Sequence, residues 1–351
     1  MIELVGKSVE ELRARAESWS EPAYRGDQIY HALYAERRFD VSQMTNLPAA
    51  LRARMAEEST IRLPRIARRY QSMDGSIRYL LSLEGEAGAP AQVEAVFMPD
   101  MGEDARRQTI CISTQAGCAV DCHFCLTAQL GLKRNLSSGE IAGQVLAALE
   151  DNRERLLPRT NVVLMGQGEP FLNYEPVMAA LRILLDPEGV GLSPKHVTLS
   201  TSGIVPGIER MAAEPVRPKL AISLNASTDE QRDAIMPINR KYPLAVLLAA
   251  CREYPLRPWE RLTFEYVLLG GFNDAPEDAR RVAKLLANIR AKVNLIPWNP
   301  GELPYKSPAK PAIEEFRRIL DVKGVPVFVR YSRGLDIMAA CGQLALIETS
   351  A

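Results

Sequence analysis

The chain has 351 residues, of which 47% are hydrophobic and 25% are charged, a composition typical of a globular protein. Its 43 basic residues balance 43 acidic ones, so the total charge does not indicate a nucleic-acid partner, which would need a local basic face. No apolar run reaches the roughly 18–20 residues that cross a bilayer, and the charged N-terminus lacks a signal-peptide apolar core. We expect a cytoplasmic protein, without a membrane partner, that has one large core and a smaller domain.

The first 70 residues predict a small helical N-terminal domain. Apolar residues recur there at helical spacing in three stretches, 9–15, 24–34 and 51–58. Between positions 52 and 69, two glutamates accompany six arginines: Arg52, Arg54, Arg62, Arg65, Arg68 and Arg69. Such a surplus is typical of a solvated helix face, and it would equally suit contacts to an RNA backbone.

Residues 71–104 predict a short β connector. Two strand-like stretches, 76–83 and 92–98, flank a turn-rich segment at 85–91. Glu94 lies inside the second stretch, between apolar neighbours. A carboxylate in that position usually lies on the exposed face of a strand, but it could instead point into a site.

Residues 105–351 predict an α/β domain. Strand-like and helix-like stretches alternate there, which is the pattern of repeated βα units on a parallel sheet. The strands are expected at 109–113, 161–165, 196–200, 220–225, 262–269, 293–298 and 325–331, with helices at 138–150, 174–185, 275–289 and 312–322 among those between them. Six or seven units are too few for a closed eight-fold barrel, so we expect a partial (βα)6 barrel with its functional groups at the carboxyl ends of the strands.

A cysteine-rich loop, CISTQAGCAVDCHFC, occupies positions 111–125. Cys118, Cys122 and Cys125 have C-x3-C-x2-C spacing, so one loop could bring three thiolates to a metal centre. A [4Fe–4S] cluster normally takes four thiolates, and three would leave one iron open. A Cys3His zinc site with His123 and structural cysteines are the alternatives. The spacing resembles the cluster loop of radical S-adenosylmethionine (SAM) enzymes, in which the open iron holds SAM.

Small polar residues and glycines end several of the predicted strands. The segment Gly168-Glu169, after the strand at 161–165, resembles the motif that grips the SAM amino group in radical SAM enzymes. Each of the other strand ends would alone be typical of a cap or a turn. Because they meet at one face of the sheet, we expect a SAM site that also includes Ser200, Ser223, Leu224, Asn225 and Asn299.

The C-terminal segment contains a lone cysteine, Cys341, in the sequence AACGQL. A lone cysteine is usually a buried small hydrophobe, as we expect for Cys251 on an apolar helix face. Together with Cys111, however, Cys341 resembles the RlmN/Cfr family of radical SAM adenosine methyltransferases. The resemblance extends over nearly the whole chain, through TNLPAALR, DGSIRYLL, VEAVFMP, GEPFLNYEPV, VTLSTSGIVPGI, LAISLNA, MPINRKYP and VNLIPWNP. Departures are Gln167, where methionine is common, Asn225, where histidine is common, and a looser SRGLDIMAACG segment.

The resemblance implies a mechanism that uses two SAM molecules per turnover and a [4Fe–4S] cluster. Cys341 would take a methyl group from the first SAM, and a 5′-deoxyadenosyl radical made from the second would abstract hydrogen from that methyl group. The resulting carbon radical would add to carbon 2 of an adenosine, a position that direct polar methylation does not reach. Glu94 would remove the ring proton, and Cys111 would attack the sulfur of Cys341, releasing the base through a transient disulfide.

The resemblance also implies the partners. The substrates would be an adenosine of 23S rRNA in the peptidyl-transferase region and the tRNA adenosine next to the anticodon, held in part by the N-terminal arginines. An electron donor such as a flavodoxin would reduce the cluster, and we expect a monomer. Two alternatives stay open: Cfr-type methylation of carbon 8 of the same rRNA adenosine, and a non-catalytic zinc or iron–sulfur RNA-binding module.

Overall fold

The structure, a computed structural model, describes residues 1–84, 90–300 and 303–346. The predicted turn at 85–91 therefore lies mostly outside the described residues. The α-helices in chain order are α1 (Val9–Ser18), α2 (Tyr24–Tyr34), α3 (Ala49–Glu58), α4 (Leu126–Gln129), α5 (Ser138–Asp151), α6 (Tyr174–Leu185), α7 (Val205–Ala212), α8 (Asp229–Ile235), α9 (Leu244–Glu253), α10 (Pro276–Leu286) and α11 (Lys310–Val322). No helix within the described ranges is both long and apolar enough to cross a membrane.

The strands form one large sheet and two small ones. They are β1 (Ile2–Glu3), β2 (Ser59–Thr60), β3 (Arg65–Gln71), β4 (Ile77–Leu83), β5 (Ala91–Pro99), β6 (Arg107–Cys111), β7 (Gln115–Gly117), β8 (Leu132–Asn135), β9 (Arg159–Leu164), β10 (Val197–Thr201), β11 (Lys219–Ser223), β12 (Leu262–Leu268), β13 (Ala291–Pro297) and β14 (Val327–Val329). β1 pairs with β2, and β7 pairs with β8. The large sheet has the order β14-β13-β12-β11-β10-β9-β6-β5-β4-β3.

The parallel part of this sheet is the predicted partial barrel. β6 and β9 to β14 run parallel in sequential order, with Ile110 opposite Val162 and Phe264 opposite Val293 in neighbouring strands. Helices α5 to α11 lie in the connections between them. Six βα units followed by β14 therefore form an open barrel, and the predicted fold class is confirmed.

The β connector continues the same sheet instead of forming a separate layer. β3, β4 and β5 are antiparallel to one another, and β5 is antiparallel to β6. β6 thus belongs to both halves, because its other edge pairs in parallel with β9. Its last residue, Cys111, lies at the carboxyl end of the first barrel strand.

The N-terminal helices form their own apolar cluster against the barrel. Leu12, Ile29, Leu33 and Met55 pack there with Leu146 of α5. The prediction of helix up to residue 70 is wrong at its end, because Arg65–Gln71 is an edge strand. Its arginines are exposed on both faces of the strand, and of its seven residues only Tyr70 is buried.

A close backbone contact joins this domain to the barrel. Gly6 has φ +94°, a conformation that favours glycine, and the hydroxyl of Ser138 donates to its carbonyl at 3.0 Å. A Cβ on Gly139 would lie 2.3 Å from the carbonyl oxygen of Val5. The start of α5 and the chain after β1 can approach this closely only because glycines stand at both positions.

Candidate active site

The three clustered cysteines lie on the loop between β7 and α4. The N–H of Cys118 donates to the carbonyl of Gly131 at 3.2 Å, and the N–H of His123 donates to the carbonyl of Ile235 at 3.0 Å. These bonds hold the loop against the β7–β8 hairpin and against the end of α8. α4 begins directly after Cys125, so the third thiol has a fixed backbone position.

The donor set fits a multi-iron cluster better than a single metal ion. All three thiols line one cavity at the carboxyl ends of the barrel strands. Among the described residues, no group of three or more His, Cys, Asp or Glu side chains converges on one metal position. Each thiolate of an iron–sulfur cluster binds a different iron, so convergence on one point is not needed. His123 instead directs Nδ1 to the carbonyl of Ala234 at 2.8 Å.

Burial disfavours the thiolate forms of these cysteines in the protein alone. It raises the pKa of Cys118 to about 11, and it also raises the pKa of Cys122 and Cys125. Cationic irons would offset this cost, because they favour deprotonated ligands. The site therefore matches a positively charged group.

The cavity beside the three thiols, called here the cluster-side cavity, measures about 1040 Å³. It brings together side chains from the ends of most barrel strands and from the C-terminal segment. The predicted residues among its lining are Cys118, Cys122, Cys125, Gly168, Glu169, Ser200, Ser223, Asn225, Asn299 and Cys341. Sequence reasoning missed Thr127, Met236, Glu265 and Trp298, which also line it. Of these, Glu265 gave a signal, because it interrupts the apolar run of β12.

Glu169 is fixed at the edge of this cavity by three hydrogen bonds. Its carboxylate accepts from the N–H of Phe171 at 3.1 Å, the hydroxyl of Thr201 at 2.8 Å and the N–H of Ser202 at 2.7 Å. Burial raises the pKa of Glu169, and these hydrogen bonds oppose that effect. Gly168 precedes it with φ +99°, and a Cβ there would lie 2.7 Å from the N atom of Gln115. A buried carboxylate on a tightly packed loop suits recognition of an ammonium group.

Leu224 does not face the cavity, contrary to its predicted place in the SAM site. Its side chain packs in the main hydrophobic core. Its N–H donates to the carbonyl of Glu265 at 3.0 Å, and its carbonyl accepts from Nε of Arg232 at 3.1 Å. The next residue, Asn225, has φ +56°, and this left-handed conformation turns the chain so that Asn225 reaches the cavity instead.

The neighbouring Gln167 is fully buried, and its side chain lacks hydrogen-bond partners. Neither Oε1 nor Nε2 has a partner among the described residues. Only its backbone is used: its N–H donates to the hydroxyl of Ser113 at 2.9 Å. An unpaired buried amide lowers the stability of a protein. Gln167 should therefore make this chain less stable than the methionine that is common at this position.

Cys341 is held beside the cluster loop by several backbone contacts. The N–H of Leu126 in α4 donates to the carbonyl of Gly342 at 2.8 Å, and the hydroxyl of Thr127 donates to the carbonyl of Leu344 at 2.6 Å. Nδ2 of Asn299 lies 3.4 Å from the carbonyl of Cys341. α4 therefore connects the third cluster cysteine to the segment that contains Cys341.

Cys111 and Cys341 line a second cavity inside the barrel, called here the barrel-interior cavity. Cys341 lines both cavities, whereas Cys111 is buried and lines only the barrel-interior one. Cys341 is exposed as a whole residue, but its thiol is enclosed by the cavity wall, and this desolvation raises its pKa to about 11. Burial, and after it the nearby Cys341, raise the pKa of Cys111. The structure thus brings the two predicted reactive thiols together.

Glu94 points inward from β5 and is completely buried. It forms an ion pair with Arg78 of β4, which is also buried, and it accepts from the N–H of Leu346 at 3.1 Å. Burial raises its pKa, while Leu346 and Arg78 lower it. The exposed position expected for Glu94 is wrong, because its side chain is buried. Glu94 lines neither cavity and lies under the C-terminal segment.

The C-terminal segment is attached to the turn between β3 and β4, which sequence reasoning missed. Asp74 accepts from the N–H of Gly334 at 2.9 Å and lies 3.5 Å from Nε of Arg333. Asp336 accepts from the hydroxyl of Ser72 at 2.6 Å. Burial opposes ionisation of Asp74, but hydrogen bonds from Ser76 and Gly334 outweigh it and hold its pKa below the usual range. The segment is anchored at both ends of the Cys341 loop.

The predicted basic surface divides between the two faces of β3. Arg68 is exposed and lies 5.0 Å from the ring of Tyr70, on the face that carries Tyr70 and Arg78. Arg69 lies on the opposite face, where its Nε donates to Asp151 of α5 at 3.0 Å. Arg54 and Arg62 are engaged by Glu58 at 2.8 Å and Glu3 at 3.9 Å. Arg68 therefore lies on the same side as the candidate site, and Arg69 does not.

Two family matches cover most of the chain. Residues 112–286 match the Radical SAM superfamily. Residues 2–61 match the ribosomal RNA large subunit methyltransferase N-terminal domain. The first match contains the three clustered cysteines and Glu169, and the second contains helices α1 to α3.

Relatives match over nearly their whole length. The chain is 49% identical over 347 residues to the "Probable dual-specificity RNA methyltransferase RlmN" of Koribacter versatilis, covering 95% of this chain and 98% of the relative. It is 49% identical over 337 residues to the "Dual-specificity RNA methyltransferase RlmN" of Anaeromyxobacter dehalogenans, covering 93% and 87%. The crystal structure of a radical SAM methyltransferase from Sphaerobacter thermophilus superposes with a TM-score of 0.89 at 43% identity, covering 98% and 99%.

Proposed function

The chain belongs to the RlmN family of radical SAM RNA methyltransferases, and from that premise we propose that it methylates carbon 2 of adenosine in two RNAs. The substrates are an adenosine of 23S rRNA in the peptidyl-transferase region and the tRNA adenosine next to the anticodon. The observation that supports this proposal best is the placement of Cys341. It lies between the cavity of the three cluster cysteines and the cavity that contains Cys111.

The cofactors are a [4Fe–4S] cluster and SAM. Cys118, Cys122 and Cys125 would hold the cluster, and Glu169 would receive the SAM ammonium group with Ser200, Ser223, Asn225 and Asn299 around the rest of the molecule. When bound, the cofactors supply the methyl group and the hydrogen-abstracting radical. A cationic sulfonium beside Cys341 would favour its thiolate, which burial alone disfavours.

The residues of the chain would complete the transfer. Cys341 carries the methyl carbon, loses one of its hydrogens, and bonds through that carbon to the base. Glu94 takes the ring proton as a general base, which requires that Leu346 withdraw its N–H from the carboxylate. Cys111, having lost its proton, then attacks the sulfur of Cys341, and the carbon–sulfur bond breaks as a disulfide forms. The released carbon takes up a proton and becomes the methyl group, and the unpaired electron left by the radical addition would return to the cluster that Cys118, Cys122 and Cys125 hold.

RNA would approach from the face of β3 that carries Arg68, with the N-terminal domain holding the backbone. The reduced thiol pair suits the cytoplasm, and an electron donor such as a flavodoxin would reduce the cluster. We propose that the protein acts as a monomer. The domain boundaries proposed are 1–70, 71–104 and 105–351, with 65–70 contributing an edge strand.

The test is anaerobic reconstitution with iron, sulfide, SAM and reductant, followed by mass mapping of methylated 23S rRNA and tRNA. We expect a methyl group on carbon 2 of adenosine in both RNAs. Methylation at carbon 8 would instead identify the Cfr-type reaction. Reduction without SAM cleavage would contradict an enzyme and favour a binding module.

Cysteine variants separate the proposed roles. Cys341→Ala should abolish RNA methylation, and Cys111→Ala should accumulate a protein–RNA crosslink. Cys251→Ala is the matched control, because Cys251 lies in the core on α9, and it should methylate normally once folded. Methylation by Cys341→Ala, or a Cys111→Ala variant that turns over without any adduct, would contradict the assigned roles.

A further inference from the structure

The barrel-interior cavity is lined in part by polar and charged side chains, which is unusual for the inside of a barrel. It extends from Cys111 and Cys341 to Arg159 and Lys219, the first residues of β9 and β11. Barrel interiors are usually filled by layers of bulky side chains. Here the intervening lining includes small polar side chains: Thr109, Asn161, Thr198, Thr263 and Asn294. The cavity therefore connects the thiol pair to the end of the barrel opposite the cluster.

Cations dominate the far part of this cavity. Arg159, Lys219, Lys292 and Arg330 line it, and none of them forms an ion pair with a carboxylate of the described residues. Of the other three cations of the lining, Lys195 lies 5.3 Å from the ring centroid of Trp259. The other two are neutralised by ion pairs that join Arg107 to Asp100 at 3.1 Å and Arg333 to Asp74 at 3.5 Å. The acidic side chain deep in the cavity is Glu265, which accepts from Asn294 at 2.9 Å. The remaining charge is positive.

The cations in this cavity are close enough to lower one another's pKa values. Burial, and after it Lys292, lower the pKa of Lys219. Burial, and after it Arg159, Lys219 and Lys195, lower the pKa of His196. Positive groups held together in a cleft with low-dielectric walls concentrate anions from solution. A small anion would relieve the repulsion.

We infer that the barrel-interior cavity admits a small anionic thiol that reduces the Cys111–Cys341 disulfide after each methyl transfer. The inference rests on the proposed function, because that function forms the disulfide. Access supports it: of the two cavities, Cys111 lines only this one, which extends from Cys125 of the cluster loop to Arg159 and Lys219, so a reductant can reach the Cys111 sulfur through the barrel from the end opposite the cluster.

The reduction balances with two molecules of thiol. One thiolate attacks the sulfur of Cys111, the Cys111–Cys341 bond breaks, and Cys341 leaves as a thiolate ready for the next methyl group. A second thiolate attacks the resulting mixed disulfide and releases Cys111, which takes a proton. Two external thiols are oxidised to one disulfide, and two electrons return the pair to the reduced state.

The experiment measures disulfide reduction without RNA. The cluster-loaded chain is oxidised anaerobically with diamide, then treated with one of three thiols of similar size: anionic 2-mercaptoethanesulfonate, neutral 2-mercaptoethanol or cationic cysteamine. Alkylation and peptide mass analysis follow Cys111 and Cys341 over time. Because no RNA or SAM is present, the result is independent of methyl transfer, which the RNA mass analysis tests separately.

Charge-removing variants give the comparison. Lys219→Met with Lys292→Met removes two half-buried cations whose charged forms burial already disfavours, so the fold should tolerate the change. We expect the rate with the sulfonate thiol to fall about tenfold and the rate with the neutral thiol to stay unchanged. The control is Lys310→Met with Lys323→Met, two exposed lysines at the ends of α11, which should alter none of the rates.

Three outcomes would overturn the inference. An equal loss of rate with all three thiols would show a structural effect of the lysines. Unchanged rates in the double variant would show that the cations do not guide the reductant. Failure of diamide to join Cys111 to Cys341 would show that the two thiols do not meet.

Discussion

Glu94 and Arg78 form a buried ion pair that sets the proton affinity of the proposed base. Both side chains are shielded from solvent. They come from diagonal positions on neighbouring strands, since Arg78 lies opposite Val96 and Leu80 lies opposite Glu94. Breaking such a pair leaves an uncompensated buried charge. Arg78 therefore favours the ionised form of Glu94 and offsets part of the rise in pKa that burial causes.

This pair predicts the pH dependence of adduct release. Burial raises the pKa of Glu94, so its base form is lost as the pH falls, with a midpoint above 4.5. Because Arg78 lowers that pKa, Arg78→Gln should move the acid limb of the rate to higher pH. Single-turnover release of methylated RNA, measured from pH 5 to 9, checks the shift.

Arg78→Lys keeps the cation and serves as the control for this shift. Its acid limb should stay near that of the unaltered chain. A Glu94→Gln variant should be slow at every pH and lack the limb. An acid limb that persists in Glu94→Gln would assign the base to another residue.

Replacing Gln167 with methionine should stabilise the protein. Its buried amide has no partner among the described residues, and an unmet buried polar group costs about 1–3 kcal/mol. Gln167→Met should therefore raise the free energy of unfolding by about that amount, measured by denaturant titration of the protein without its cluster.

Gln115 provides the matched comparison. It is also buried, but its amide donates to Asn135 and accepts from the N–H of Glu169, both at 2.8 Å. Gln115→Met should destabilise the chain, since it leaves those partners unpaired. If both substitutions have the same sign, the unpaired state of Gln167 does not determine its stability.

At the scale of elements, the two faces of β3 have different roles. One face carries Arg68, which we expect to contact RNA, and the other carries Arg69, which binds Asp151 of α5. Arg68 and Arg69 are adjacent, so their side chains leave the strand on opposite faces. We expect Arg68→Gln to weaken RNA binding and to reduce the slope of log affinity against log salt by about 1. Arg69→Gln should leave the slope unchanged and lower the stability by about 1 kcal/mol, because it loses an ion pair between the exposed Arg69 and the mostly buried Asp151.

Filter binding between 50 and 300 mM salt measures the slope, and thermal melting measures the stability. Arg317→Gln on α11, which is exposed and pairs with Glu314, is the control for loss of one surface charge. An Arg68→Gln variant with an unaltered slope would remove β3 from the RNA interface.

Some elements were predictable because their signal is local. Buried parallel strands appear as apolar runs, which is why β9 to β13 could be placed. β3 could not, since RIARRYQ has the composition of an exposed segment, and only its pairing with β4 makes it a strand. α4 is a single turn whose existence depends on the loop around it.

The residues of the site also divide into those that a local sequence pattern could predict and those that it could not. The three cluster cysteines lie within eight positions and could be predicted from their spacing. The contact of Asp74 with Gly334 joins residues 260 positions apart, and no local pattern indicates such a pairing. The inward position of Glu94 follows from the β4–β5 register, which the sequence left undetermined.

At the scale of the whole molecule, the N-terminal domain depends on its glycine contact with α5. A Cβ at position 139 would lie 2.3 Å from the carbonyl oxygen of Val5, so Gly139→Ala must displace backbone. We expect a loss of about 1–3 kcal/mol and weaker RNA binding, with SAM cleavage retained because the cluster-side cavity lies elsewhere. Differential scanning calorimetry and a SAM-cleavage assay check both parts.

Glu150→Ala, near the other end of α5, is the control, since Glu150 pairs only with the exposed Arg153. It should change neither stability nor RNA binding by much. Loss of SAM cleavage in Gly139→Ala would show that the domain contact extends its effect to the barrel.

β6 pairs with an antiparallel strand on one edge and a parallel strand on the other, and it ends at Cys111. Adding or deleting one residue within it would invert the up-and-down alternation of every later side chain in that strand, turning this thiol away from Cys341. Insertions and deletions should therefore be tolerated during evolution in the surface loops of this protein and its relatives. They should be eliminated within the five residues of β6. A deletion scan across 103–115, scored by growth dependent on the enzyme, would display that narrow intolerant window.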